Sequence, residues 1–135
     1  MKVIIAGSRK IVDYEILKKA IQESGFEITQ IISGGAKGAD NLGERYAREM
    51  NIPCRVMTAN WDFYGLQAGY LRNEDMAKAG EALIALWDGK SKGTRNMISI
   101  AKRHGLKIYV KELKEAGDIN ELPLFKDDKN EEKSK

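Results

Sequence analysis

Residues 31–40 read IISGGAKGAD. An apolar run stops at Ser33, three glycines follow within five positions, and an acid closes the stretch. A buried strand that breaks into glycines and then resumes at helical spacing is the signature of a β–turn–α unit. The helix pattern is clear beyond it: Ala39, Leu42, Gly43, Tyr46, Ala47 and Met50 recur on one face.

The same alternation extends outward in both directions. Residues 3–6 (VIIA) form a buried strand bounded by Gly7. Asp13 can cap a helix that carries Tyr14, Leu17, Ala20 and Ile21 on one face and ends at Gly25. Residues 28–32 supply the second strand, and Pro53 stops the helix after it. Residues 55–57 form a short third strand, and TANWDFYGLQ a longer loop. A helix over residues 68–78 leads into ALIALW (82–87), the fourth strand. A helix over 94–104 precedes a fifth strand, LKIYV (106–110).

Strands alternating with helices of this length are βαβ units with right-handed crossovers. The expected fold is α/β: a Rossmann-like three-layer sandwich on a five-stranded parallel sheet ordered 3-2-1-4-5. The expected domain covers residues 1–112. A charged tail follows over 113–135, whose last ten residues (KDDKNEEKSK) contain no apolar side chain and suit disorder.

Composition narrows the function. At 135 residues, 42% hydrophobic and 32% charged, the chain fits one globular domain that buries about two-thirds of its unfolded surface. One cysteine, Cys54, excludes an internal disulfide and suits a reducing cytoplasm. With a single histidine, the usual zinc constellations are excluded, so no metal is expected, and no cofactor motif is present. The apolar start, ending at Gly7, is too short for a secretory core, and no stretch can span a bilayer. The net charge is +3, and six basic against eight acidic residues lie from Lys111 onward, so the domain itself is mildly basic. That suits an anionic small molecule, and no dense basic cluster argues for nucleic acid.

In an open parallel sheet, ligands bind beyond the carboxyl ends of the strands at the switch point. Three motifs fall on that rim. Gly7-Ser8-Arg9 ends strand 1, and Arg9 can fork onto a phosphate. Ser33, Gly34, Gly35, Gly38, Ala39 and Asp40 end strand 2, where glycines admit a ligand to the main chain and helix amides attract an anion. Asp88, Ser91, Gly93 and Thr94 end strand 4 in a second glycine-containing turn before a helix. Each motif alone also suits a plain turn, and Arg9 a solvated surface position. Two such turns on one small sheet favour a site.

Glu44 lies four residues after Asp40, so both carboxylates share a helix face. Acids at an anion site suit a ribose or base, bound through hydroxyls or amines. They are also the candidate catalytic pair. Trp61, Phe63, Tyr64 and Tyr70 crowd ten residues. They suit stacking on a base, a lid, a dimer interface or local packing. Arg72 and Asn73 open the next helix and can complete the pocket.

Five ordered segments resemble a known family: MKVIIAGSR, SGGAKGAD with Glu44, the tryptophan of the third loop, AGYLRNEDM, and LWDGKSKGT with Met97 and Ile98. Together they look like the YspA-like (DUF2493) branch of the SLOG superfamily, over residues 1 to about 110. The resemblance implies a Rossmann-like domain that binds a nucleotide or nucleotide-derived, ADP-ribose-like molecule. The setting it implies is a sensor or sequestering protein in phage–host conflict. The alternative it implies is an N-glycosidase like the LOG phosphoribohydrolases. Those enzymes carry a catalytic glutamate shortly after the second motif, where this chain has Arg95, Asn96 and Met97. SLOG relatives often form homo-oligomers, dimers or larger. In the tail, residues 121–125 (ELPLF) are similar to the short peptide that binds the bacterial sliding clamp, with Glu121 in place of the usual glutamine.

Overall fold

The computed structural model of the chain describes residues 1–113. The charged tail from residue 114 on, with ELPLF at 121–125, lies outside the described residues. Eleven elements follow in order: β1 (Lys2–Gly7), α1 (Tyr14–Ser24), β2 (Gln30–Ser33), α2 (Ala39–Glu49), β3 (Cys54–Val56), α3 (Trp61–Tyr64), a single 3-10 turn (Gly65–Gln67), α4 (Ala68–Ala79), β4 (Ala82–Trp87), α5 (Lys92–Arg103) and β5 (Lys107–Glu112). The five strands form one parallel sheet in the order β3-β2-β1-β4-β5.

The central strands are apolar through residues 3–6, 31–32 and 82–87 because both faces of the sheet are covered there. Val3 and Ile5 of β1 point to one face and join Ile31, Ile84 and Leu86 against α1 and α2. Ile4 and Ala6 point to the other and join Ile32, Leu83 and Ala85 against α4 and α5. The period-two alternation within each strand therefore divides one apolar run between two cores. Most of these side chains are fully buried. A buried Ile or Leu contributes about 1.5–3 kcal/mol relative to exposure, so the two cores carry the domain.

Local signals fix the helix ends. Asp13 caps α1 by accepting from the Glu15 N–H at 3.0 Å, and Gly25 closes that helix in the left-handed conformation at φ 72°. Ser91 caps α5, which starts two residues earlier than expected, at Lys92. The expected strand over 28–32 is shifted to Gln30–Ser33, while Ile28 still packs on the core. Met50, expected inward, is exposed because α2 ends at Glu49. Within the stretch read as loop, Trp61–Tyr64 makes one helical turn, capped by the Asn60 side chain on the Phe63 N–H. Leu113, assigned to the tail, packs on the α1–α2 core, and its N–H donates to the Trp87 carbonyl at 2.7 Å.

Parallel strands all present their carboxyl ends to one rim. The β1–α1, β2–α2, β3–α3 and β4–α5 connections therefore crowd together there. No helix among the described residues is long and apolar enough to cross a membrane.

Candidate functional site

A cleft of about 760 Å³ opens on that rim. Its size lies within the 300–1,000 Å³ typical of small-molecule sites. Its walls take Gly7 and Arg9 from the β1 loop, Gly34, Gly35, Lys37 and Asp40 from the β2–α2 loop, and Thr58, Ala59 and Trp61 from the β3 side. The first turns of α4 add Gly69, Tyr70, Arg72 and Asn73, and the β4–α5 loop adds Ser91, Gly93 and Thr94.

The β4–α5 side ends in an open helix start. The loop is held from within: Asp88 Oδ1 accepts the N–H groups of Lys90 and Ser91 at 2.8 and 2.7 Å. Burial pushes the Asp88 carboxyl up, but these two N–H groups and the Ser8 hydroxyl outweigh it and hold it below the ordinary value. Trp87 Nε1 donates to the Ser91 carbonyl at 3.1 Å and staples the turn from the other side. The first turn of α5 then faces the cleft. The positive dipole end lies there, and the N–H groups of Lys92 and Gly93 have no protein partner among the described residues. Nothing lies within 4 Å of the place where a Gly93 Cβ would stand, so the helix start is open.

The β2–α2 side is built differently. The Gly35 N–H donates to Ser33 Oγ at 3.0 Å, the Ala36 N–H to Asp40 Oδ2 at 3.1 Å, and the Ala39 N–H to the Ser8 carbonyl at 3.2 Å. Three of its amides are thus spent inside the protein. Asp40 sits buried at 6% exposure on the cleft wall. Burial raises its carboxyl to about 6, against the lowering pull of the Ala36 N–H and the Arg72 charge. Arg72 clamps the loop: Nη1 donates to the Gly34 carbonyl at 2.7 Å and Nε to Asn73 Oδ1 at 3.0 Å. Burial lowers the pKa of Arg72, with the Asp40 charge opposing. Asn73 in turn donates Nδ2 to Asn96 Oδ1 at 2.9 Å, which ties α4 to α5 behind the cleft.

An aromatic wall completes the site. Trp61 is 56% exposed, and its ring covers Gly69, where a Cβ would stand 3.2 Å from Cη2. The tip of the indole, Cη2, rests against the start of α4, beside the half-exposed Tyr70.

Of the seventeen residues assigned to ligand binding from the sequence, eleven meet at this cleft: Gly7, Arg9, Gly34, Gly35, Asp40, Trp61, Arg72, Asn73, Ser91, Gly93 and Thr94. Six lie outside its wall. Ser8 is buried beneath the β1 loop, where its Oγ accepts the Lys10 N–H. Ser33 is fully buried, and its hydroxyl donates to Glu44 Oε2 at 2.7 Å, which turns Glu44 toward the end of β2. Asp88 serves its own turn. Gly38 and Ala39 face the β1 loop: a Cβ on Gly38 would stand 2.5 Å from the Ser8 carbonyl oxygen and 2.6 Å from the Arg9 backbone. The room at Gly38 is taken by protein main chain. Lys37, Thr58 and Gly69 join the wall without having been singled out. Lys37 was legible as the one cation inside the glycine turn, whereas Thr58 and Gly69 carried no local signal.

A sequence model of the YspA, cpYpsA-related SLOG family matches residues 1–64, which hold the β1 and β2–α2 motifs. The Gene 61 protein of Mycobacterium phage D29 is 32% identical over 117 residues, covering 79% of this chain and 93% of that protein. Among solved structures, DNA processing protein A (DprA) from Streptococcus pneumoniae is similar, with a TM-score of 0.66 at 20% identity. The likeness covers 81% of this chain and 49% of DprA, so this chain spans about half of DprA's length, and it speaks for the fold alone. The motifs, the five-stranded parallel architecture and the phage relative agree, and the chain belongs to the YspA, cpYpsA-related SLOG family.

Proposed function

We propose that this protein binds a phosphorylated nucleotide or nucleotide-derived small molecule in the rim cleft. One observation carries the reading: a single cleft joins the open N-terminus of α5 to the exposed indole of Trp61. The phosphate docks on the amides of Lys92 and Gly93 and the hydroxyls of Ser91 and Thr94, with Arg9 and Lys37 adding positive charge. The base stacks on Trp61 and Tyr70. The volume also accommodates an ADP-ribose-like ligand, and sequestration of such a signal in phage–host conflict is the finer form of the proposal. Phe63, 76% exposed, and Leu71 suit contact with a second copy of this chain, which light scattering reads directly.

Isothermal titration against AMP, ADP, GMP, ADP-ribose and inorganic phosphate tests the binding. Saturable binding stronger than millimolar, lost in a Gly93→Asp variant that still folds, is expected. The absence of binding across the panel refutes it.

A second reading is hydrolysis of an N-glycosidic bond, favoured by one observation. Asp40 lines the cleft with its carboxyl raised to about 6, within reach of general acid or base work near neutrality. Chromatography of nucleotides after incubation distinguishes the two. Release of free base, abolished by Asp40→Asn while binding survives, supports the enzyme. Unaltered ligand supports binding alone.

A further inference from the structure

The β2–α2 loop has the composition of a phosphate cradle and the wiring of something else. In a cradle, successive backbone N–H groups point at the ligand. Here the N–H groups of Gly35, Ala36 and Ala39 are already bonded to Ser33 Oγ, Asp40 Oδ2 and the Ser8 carbonyl. What the loop presents to the cleft in their place is a buried carboxylate beside a guanidinium. A Cβ on Gly34 would stand 2.4 Å from Arg72 Nη1 and 2.8 Å from Asp40 Oδ2, so Gly34 packs against both side chains.

We propose that Asp40 is a specificity-determining residue that makes this wall read ribose hydroxyls instead of a second phosphate, so that the cleft selects ribonucleotides over their 2′-deoxy counterparts. The inference rests on the nucleotide reading of the cleft. A phosphate approaching Asp40 meets a negative charge in a poorly solvated position, where repulsion is weakly screened. A hydroxyl meets an acceptor. An ionised carboxylate offers about four lone-pair sites, and the backbone donors of the loop fill only part of that capacity. Arg72 has five N–H donors, and two are committed, to Gly34 and Asn73. Acceptor and donor side by side match a vicinal diol, whose hydroxyls each donate and accept. Glu44 cannot substitute: its carboxylate holds the Ser33 hydroxyl and lies outside the cleft wall. The two carboxylates that share a helix face thus divide, one supporting the strand end and one facing the ligand.

A hydrogen bond to a charged group contributes about 1.5–3 kcal/mol, which corresponds to roughly 10- to 100-fold in affinity. The test is titration at pH 7.5 with AMP, GMP and ADP, each against its 2′-deoxy form, on the full chain. The wild type is expected to prefer each ribonucleotide at least about tenfold. In Asp40→Asn the amide oxygen stays on the Ala36 N–H and the NH2 turns to the cleft. The preference should then fall to within about twofold. Gly34→Ala, whose Cβ drives Arg72 and Asp40 apart, should lower the preference by a second route. Equal wild-type binding of both sugars overturns the inference and leaves the nucleotide site standing. Preference fully kept in a folded Asp40→Asn overturns it as well. If Asp40→Asn does not fold, preference retained in Gly34→Ala has the same force. A wild type that binds none of the six nucleotides refutes the nucleotide site and this inference with it.

Discussion

Replacing Gly38 with alanine should be among the most damaging single-methyl changes in the domain, and Gly65 supplies its control. Gly38 sits at φ 76°, ψ −127°, and Gly65 at φ 61°, ψ −137°, a region that residues with a Cβ rarely adopt. The backbone cost of alanine is therefore nearly the same at both, about 1–3 kcal/mol. The surroundings differ. A Cβ on Gly65 meets nothing within 4 Å, whereas on Gly38 it meets the Ser8 carbonyl oxygen at 2.5 Å and the Arg9 Cα at 2.6 Å. Those are main-chain atoms that cannot rotate aside, and the Ser8 carbonyl also accepts the Ala39 and Ile11 N–H groups. Overpacking adds about 1–3 kcal/mol. Gly65→Ala should thus lose about 2 kcal/mol and Gly38→Ala about 4, a large share of a domain stability of about 5–15 kcal/mol. Urea denaturation of both variants gives the difference directly, and thermal melting should separate them by roughly 8 °C. Because Arg9 lines the cleft, Gly38→Ala should also weaken ligand binding, and Gly65→Ala should not. The two variants unfolding within about 0.5 kcal/mol of each other would refute the packing of the β1 loop on the start of α2.

Gly93→Ala should separate stability from binding: alanine stabilises a helical position by up to about 1 kcal/mol, while its methyl enters the cleft wall, so melting temperature rises and affinity falls. Asp40 predicts an unusual pH response. Its folded-state carboxyl lies near 6, above the ordinary 3.8, so the folded state holds that proton more tightly and stability from this group falls as pH rises between about 4 and 6. Asp40→Asn should remove that decline, appearing about 2 kcal/mol more favourable relative to wild type at pH 7.5 than at pH 4 in paired urea titrations. A constant difference across that range would sink the assignment. Trp61→Ala should cost under about 1 kcal/mol of stability, since the ring is 56% exposed, yet weaken nucleotide binding by about 1–3 kcal/mol through lost stacking. Calorimetry and melting on the same variant check both halves.

The alternation of apolar runs with helix-period segments specifies the architecture. Val3 to Ala6 and Ala82 to Trp87 contain no polar break because both faces are buried, and that pattern belongs to a parallel sheet. Short connections and right-handed crossovers then led to the 3-2-1-4-5 order, and the carboxyl rim to the site. Asp13 and Gly25 were readable as ends because capping is local chemistry, whereas the Ser91 cap of α5 was not read and the helix was expected to start two residues later. The short helix at Trp61 was not readable, because four residues carry no period and its cap is one asparagine.

The division of labour among the polar residues lay beyond the sequence. Periodicity puts Asp40 and Glu44 on one face of α2 and cannot say that one meets the loop amides while the other meets Ser33. It marks Gly38 as a turn and cannot say that the space beside it belongs to the Ser8–Arg9 main chain. It places Arg72 at the start of a helix, whereas only the packing of α4 brings its guanidinium to the Gly34 carbonyl, 38 residues away in the chain. Secondary structure and sheet order follow from patterns that repeat every two or 3.6 residues, and those are written along the chain. The direction in which a buried polar group points follows from whichever partner satisfies it, and that partner is supplied by the fold.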